Sequence, residues 1–478
     1  MREILAGLAS LALMTLAGCL LLRAADRNKA FLRWETLALG YGISGGLLAW
    51  GMLLYQLAGF SFSASRLAWP LAVFSGVLLI ILKLRGGLPA PGISATDRRG
   101  GPILRFSRLD YFLMAAIGLE VLNSFFGAWI VPMEAHDAVA NWGFKAKAIF
   151  LAKGIPVDFL QNPNYLASLP DYPPLVPLLE SYVYFVMGRV GDMGSKSLFP
   201  LYFSGSLIVF FSCLRKLGNN RTHCLVFTFL LASVPYFSEH ATNGYAEVAL
   251  TFYFAAGSLY LCVWQAKGGW LLLVVSALFT GFTGFTKNEG LLLCLIQLVV
   301  LAGVLFQRRS VMTRRQLVTC FATYVLVLLV LLLPWQVVKF SLGLRNYLAN
   351  QETIGAGFGW ENFNRIGTIL YFLQTQFFGP NNWNLIWVCL FAAVFLRHQA
   401  LLRPPASVVA LSVMLVLTAY LSVYLLTPYS ILPFDLTWHL RTSASRLLLH
   451  VLPQVTFLIA LAFGKVEPGL ERQSAVQP

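Results

Sequence analysis

The chain of 478 residues is 58% hydrophobic and only 12% charged, with a mean hydropathy of +0.71, which excludes the soluble globular classes and indicates a polytopic membrane protein. Its apolar runs are continuous and do not alternate, which excludes a transmembrane β-barrel. The formal charge of +15 would suggest nucleic acid in a soluble protein, but the basic residues sit largely in short loops between apolar runs, where they report topology.

Apolar runs bounded by charge or by Pro/Gly/Asn clusters fall at about 3–22, 36–58, 67–82, 110–131, 197–214, 223–237, 246–264, 270–286, 290–306, 316–338, 383–396, 407–426 and 447–464. They predict an all-α, polytopic membrane helical bundle of about thirteen spans with a large first external loop carrying interfacial helices. Leu16-Ala17-Gly18-Cys19 resembles a lipoprotein processing site. Cleavage there would put the basic loop Lys83–Arg108 outside, against the positive-inside rule, so an uncleaved first span is expected. The basic loops Arg23–Arg33, Lys83–Arg108, Arg215–Arg221, Arg308–Arg315 and Arg397–Arg403 all fall on the cytoplasmic side if the N-terminus is outside and the C-terminus inside. Ile366–Phe378 would break that parity as a span, so it is expected to be a short interfacial or re-entrant helix. The seven cysteines lie in or at the ends of spans without paired spacing, and neither a disulfide framework nor a zinc site is indicated.

The opposite side then collects the acids. Twelve of the twenty acidic residues lie there: Glu134, Asp137, Asp158, Asp171, Glu180, Asp192, Glu239, Glu247, Glu289, Glu352, Glu361 and Asp435. Polar groups this dense beside a bilayer need water, a substrate or each other. Within the loop 132–192, Asp137–Lys153 reads as a helix along the membrane surface, with Asp137, Asn141 and Lys145 at i, i+4 and i+8 on one face. That spacing fits a general base at the mouth of a cavity and equally a plain helix cap at Asp137. The prolines of Leu169-Pro170-Asp171-Tyr172-Pro173-Pro174 predict an extended, rigid stretch. Glu247 in Tyr245-Ala246-Glu247, and the Lys287-Asn288-Glu289 turn, put ionisable groups at the outer ends of spans, where a functional role and a Lys287–Glu289 structural pair are both open.

Before the last span, Asp435, Trp438, His439, Arg441 and Arg446 are concentrated in one segment. Guanidinium forks suit phosphate oxygens, and cations on this side run against the topogenic preference. On a regular helix Arg441 and Arg446 stand about 7.5 Å and roughly 140° apart and cannot both grip one phosphate. The expectation is therefore an irregular Trp438–Ser443, a last span starting near Ser445, and Arg441 reaching over the cavity. No P-loop, dinucleotide fingerprint, HExxH or GxSxG context appears.

These stretches together (EAHDAVANWGFKAKAIF, LPDYPPLVPLLE, GYAEVAL, FTKNEGLLL and TPYSILPFDLTWHLRTSASRLLLHVLP) resemble the GT-C class of integral-membrane glycosyltransferases. The branch they look most like is a bacterial one near the dolichyl-phosphate-mannose-protein mannosyltransferase and aminoarabinose transferase families. The resemblance covers roughly Asp110 to the C-terminus. It implies 1–109 as extra membrane spans, 110–464 as the catalytic membrane domain and 465–478 as a short cytoplasmic tail. It also implies hexosyl or pentosyl transfer from a polyprenyl-phosphate sugar to a lipid, glycan or protein acceptor, at the periplasmic face of a bacterial inner membrane.

Asp137 matches the loop carboxylate that handles the acceptor, with Glu134 a turn away. The adjacent Asp-Glu pair of the mannosyltransferases is absent, since Ala138 follows Asp137, and the tyrosine-alanine-acid motif ends in Glu247 rather than Asp. Acceptor type and a divalent metal are thus left open. Donor phosphate contacts are expected from Arg441, Arg446, Lys287 and His439. Substrate contacts are expected from Asn141, Lys145, Asp171, Tyr172, Glu247, Glu289 and Trp438. A lipid-linked glycan flippase or other transporter, which would bury charges mid-span, is the alternative from another class; an O-antigen ligase or polymerase is a third. Reporter fusions should place 132–192 and 427–445 outside and 83–108 and 308–315 inside; an internal signal from the first loop would remove the proposed site.

Overall fold

The structure is a computed structural model and describes residues 2–85, 106–344, 360–426 and 435–464. Most of the loop 83–108, the tail from Lys465, residues 345–359 of the segment 339–365 and residues 427–434 of the segment 427–445 lie outside the described residues. No strand occurs among the described residues. The helices are α1 (Arg2–Ala25), α2 (Arg33–Leu57), α3 (Ala64–Leu84), α4 (Arg108–Ile130), α5 (Phe144–Ala152), α6 (Val157–Gln161), α7 (Leu175–Met187), α8 (Asp192–Ser195), α9 (Leu198–Lys216), α10 (Arg221–Ala232) and α11 (Pro235–His240). They continue with α12 (Glu247–Lys267), α13 (Trp270–Thr286), α14 (Asn288–Gln307), α15 (Arg314–Ser341), α16 (Ile366–Phe378), α17 (Pro380–Trp383), α18 (Ile386–Leu401), α19 (Ala406–Leu426), α20 (Leu436–Leu449) and α21 (Leu452–Phe463).

Nine helices among the described residues are long and apolar enough to span a membrane, ten with the pair α20–α21, which is bent by 50°. The count of about thirteen would further require the shorter apolar helices α10, α13 and α18, which length alone does not establish as spans. Ile366–Phe378 is indeed short, and it packs on α20.

Burial ranks the helices. The apolar window of α12 is 100% buried, whereas those of α3 and α4 are 17% buried, so α12 is the hub and the other two face lipid. The first two helices pack into this body, α1 on α7 and α8, α2 on α9 and α7. Their own crossing depends on glycine: a Cβ on Gly18 would lie 2.0 Å from the carbonyl oxygen of Gly40, so only small residues let these backbones approach. Hydroxyls tie spans where no water competes, as where Tyr324 meets Ser276 at 3.1 Å and Thr280 at 2.7 Å.

Hydrogen bonds sort the loops into two ends. At one, Lys216 reaches Glu35, Arg221 pairs with Asp110 at 3.0 Å and Arg85 reaches the carbonyl of Ala24 at 3.2 Å. At the other, the α2–α3 turn joins the end of α5 through Phe62 N–H donating to Lys153 O at 2.6 Å. The first end holds the basic loops and the second the acidic ones, as the charge pattern requires.

Glu35 is fully buried at the basic end, accepting from Tyr260 at 2.5 Å and from its own cap backbone (Leu32 N–H) at 2.9 Å, with Lys216 at 3.1 Å. Removing Lys216 strands a buried carboxylate. Lys216→Ala should therefore cost about 3–5 kcal/mol, read as a lower thermal midpoint in detergent. The double variant Lys216→Met, Glu35→Gln should recover most of it; no recovery would mean that the lysine acts through packing alone.

Candidate active site

The surface helix does not begin as a simple cap. Asp137 has helical dihedrals (φ −68°, ψ −28°) and makes no capping bond, and Ala138–Gly143 form a π-helix before α5. Such wide turns re-aim side chains and concentrate at functional sites. Here Asn141, Trp142 and Lys145 turn inward and are buried, while the Asp137 side chain stays 30% exposed. The Lys145 ammonium donates to the carbonyl of Leu169 at 3.0 Å and stands 5.0 Å from the Trp142 ring and 5.8 Å from the Tyr172 ring. Burial lowers its pKa to about 7 against the opposing pull of Asp171.

From Asp137 a chain of charges runs across the end of the bundle. Its Oδ2 accepts from Arg446 Nη1, and the same nitrogen lies 3.4 Å from Glu247 Oε1. Lys287 bonds that Glu247 oxygen at 2.9 Å and stands 3.4 Å from Glu289 Oε1. Tyr172 donates to Glu289 at 3.4 Å, and the backbone N–H of Asp137 donates to the Tyr245 hydroxyl at 3.4 Å. Beside this chain Asp171 accepts from Asn288 at 2.6 Å and pairs with Lys339 at 3.3 Å. Four carboxylates thus meet three cations, and three of the four (Glu247, Glu289, Asp171) sit at or against span ends, where an unpaired charge would be costly. Burial alone would lower the pKa of Lys287, but Glu247 and then Glu289 more than reverse it, so it is a firm cation.

Local structure explains the convergence. Between α13 and α14 the backbone is extended at Lys287 (φ −147°, ψ 161°). The turn can close because residue 290 is glycine: a Cβ there would lie 2.0 Å from the carbonyl oxygen of Thr283. The proline stretch departs from expectation: it is turned, not extended. Tyr172 N–H bonds Leu169 O at 3.1 Å across Pro170 and Asp171, with Leu169 left-handed at φ 50°, because Pro presets the first corner of a turn as readily as an extended chain. That corner delivers Asp171 and Tyr172 together.

The last helix also corrects the sequence reading. Trp438–Ser443 is regular α-helix, capped by Asp435 accepting from Trp438 N–H at 2.7 Å. The break comes after Arg446, between Leu449 and Leu452. With a strong cap and no breaker before Pro453, nothing unwinds the segment. The two arginines therefore diverge: Arg441 is exposed, 6.0 Å from the Phe372 ring, and Arg446 turns in to Asp137 and Glu247, 5.8 Å from the Tyr245 ring. His439 lies against Tyr424 at 5.1 Å, and Trp438, in the first turn of the helix, is 39% exposed. Glu134 is exposed and outside the ion-pair chain.

Of the sequence-derived residues, the structure brings together Asp137, Arg446, Glu247, Lys287, Glu289, Tyr172 and Asp171, with Lys145 adjacent. It sets Glu134, Arg441 and Trp438 apart from that chain. Lys339, Asn288 and Tyr245 complete the cluster and were not among the expected residues. Lys339 had a signal, as the lone cation near the outer end of a 28-residue apolar helix. Both amide atoms of buried Asn141, Glu247 Oε2 and Glu289 Oε2 have no hydrogen-bond partner. Among the described residues no three His, Cys, Asp or Glu side chains form a metal-ligand group; the carboxylates are bridged by lysine and arginine.

No family model matches the sequence, and no curated protein matches it. Among solved structures, the fold is similar to that of ArnT from Cupriavidus metallidurans bound to undecaprenyl phosphate, at 15% identity and a TM-score of 0.51, covering 76% of this chain and 62% of that one. It is equally similar to the apo state of the same protein, at 16% identity and a TM-score of 0.51, over 77% of this chain and 62% of that one. The chain thus shares its fold with ArnT and spans about 62% of the length of the ArnT it matches.

His240 at the back of the cluster gives a pH test. Its Nδ1 donates to the Tyr236 carbonyl at 2.9 Å, and burial lowers its pKa to about 4 against the pull of Glu247. Between pH 6.5 and 4 the unfolded chain takes up a proton at this residue that the folded one refuses, so stability falls as pH falls through that window, by about 3 kcal/mol at most. His240→Gln should flatten the fall of the thermal midpoint between pH 6.5 and 4.5; an unchanged slope would exclude this residue as its source.

Proposed function

We propose that the chain transfers a hexosyl or pentosyl group from a polyprenyl-phosphate-linked donor to a hydroxyl or amine acceptor at the non-cytoplasmic face of a bacterial inner membrane. The observation that carries this reading is the Arg446 guanidinium bridging Asp137 of the first loop and Glu247 of the hub helix. One cation there touches both a candidate base and the carboxylate wall of a buried polar site. The likeness in fold to ArnT, whose structure holds undecaprenyl phosphate, supports the donor class. The continuous chain of ion pairs at one end of the bundle supports transfer chemistry over transport.

In the proposed step the donor phosphate binds Arg446 and draws it from Asp137 Oδ2. The freed carboxylate takes the acceptor proton as the acceptor oxygen or nitrogen attacks the anomeric carbon. The bond between that carbon and the phosphate oxygen breaks, and its electron pair leaves with the polyprenyl phosphate. The leaving group gains negative charge, so the preorganised guanidinium stabilises the transition state more than the ground state. Lys287 is committed to Glu247 and Glu289 and acts by holding them. Their free oxygens, with the Asn141 amide, are suited to sugar hydroxyls, because a buried acceptor without a donor carries an uncompensated desolvation cost. Arg441 is placed to meet lipid headgroups and takes no part in the step.

Asp137→Asn should lower transfer from radiolabelled polyprenyl-phosphate sugars in membranes by about 10²–10⁴-fold at near wild-type thermal stability; activity within a few fold would reduce Asp137 to a structural partner of Arg446. Arg446→Lys should raise the KM for the donor by about ten-fold or more, since a fork-shaped charge-assisted contact is lost, while Arg441→Ala should stay within about three-fold, less than one such bond. The opposite ranking would reassign the donor phosphate to Arg441.

A further inference from the structure

A second site stands apart from the charge cluster. Helices α1, α2 and α3 enclose a cleft of about 440 Å³, walled by Leu48, Met52, Leu67 and Phe74 and crossed at its rim by Tyr55 and Arg66. The rim lies at the end of the bundle that holds the charge cluster, since Phe62 bonds Lys153 O at 2.6 Å and Gln56 accepts from Ile155 N–H at 3.3 Å. Along α2 the lining runs from Ser44 to Tyr55, about 16 Å at 1.5 Å per residue, close to one leaflet of a hydrocarbon core about 30 Å thick. Arg66 donates through Nη1 to the Ser61 carbonyl at 3.1 Å and hydroxyl at 2.6 Å. That contact holds the guanidinium at the rim and leaves Nε and Nη2 for a ligand. Trp69, 67% exposed one turn on, is suited to the headgroup belt.

From this geometry we infer that the cleft binds one glycerophospholipid of the outer leaflet, an acyl chain between α1, α2 and α3 and its phosphodiester on Arg66. Two features select that lipid over a polyprenyl phosphate. The cleft is one leaflet deep, which an acyl chain fills and a far longer polyprenyl chain overruns. The rim offers one guanidinium, which balances a singly charged diester, whereas a phosphomonoester carries a charge of about −1.5 to −2 at neutral pH. The bound lipid braces the α2–α3 turn on which Lys153–Ile155 of the first loop is hung.

The test uses the full chain in detergent micelles containing phosphatidylglycerol, with retained lipid counted by native mass spectrometry. The wild type should keep one phospholipid per chain, and an equal mole fraction of undecaprenyl phosphate should not displace it. Arg66→Gln should retain it about ten-fold less, as loss of a charge-assisted contact implies. Gly51→Phe should lose it by filling the cleft; a Cβ there meets nothing within 4 Å, so the fold has room for it. Retention at the wild-type level in either variant, or displacement by undecaprenyl phosphate, overturns the assignment.

Discussion

Everything at the acidic end of this molecule depends on one guanidinium placed between two carboxylates. Arg446 joins Asp137, on the first loop, to Glu247, at the first turn of the most buried helix. Without it, Glu247 would face only Lys287, and the loop carboxylate would have no strong partner inside the bundle. The same contact holds the surface helix against the last spans. Loop position and site electrostatics are therefore one interaction, and a ligand that competes for Arg446 alters both.

The scaffold is arranged so that this cluster can exist beside a bilayer. The tight α13–α14 turn sets Lys287 and Glu289 one residue apart on either side of Asn288, and the Pro170 corner lowers Asp171 and Tyr172 onto them. Each carboxylate has a cation, and the leftover oxygens Glu247 Oε2 and Glu289 Oε2 are buried without a hydrogen-bond partner. In the proposed reading this cluster, in which every carboxylate already touches a cation, is the resting state that a donor phosphate enters. In that proposed step the phosphate replaces Asp137 on Arg446, and the carboxylate it frees is the one that stays 30% exposed.

The likeness to ArnT is one of fold at low identity, and the local chemistry differs from the expected pattern in specific ways. Ala138 rather than a second acid stands beside Asp137, and Arg446 also lies 3.4 Å from Glu247 of the hub helix. The three N-terminal helices add contacts of their own: α1 and α2 are built into the core, and α3 lies on the lipid-facing flank beside the cleft.

Hydropathy determined the helical class and the long apolar helices, because each is a property of one segment in one solvent, and the charge parity of the loops set Ile366–Phe378 aside as a short helix. Charge placement determined which loops share an end, and it located Asp137, Glu247, Lys287 and Glu289 in the same half of the molecule. The tertiary structure alone decided which side chains meet. Helical arithmetic showed that Arg441 and Arg446 point apart; only packing against Asp137, 309 residues earlier in the chain, selected Arg446. The π-helix that turns Asn141 and Lys145 inward, and the capture of Asp171 by Lys339 from 168 residues away, are likewise invisible locally. A helix's azimuth and a charge's partner are set by neighbours distant in sequence, and no periodicity within a segment records them.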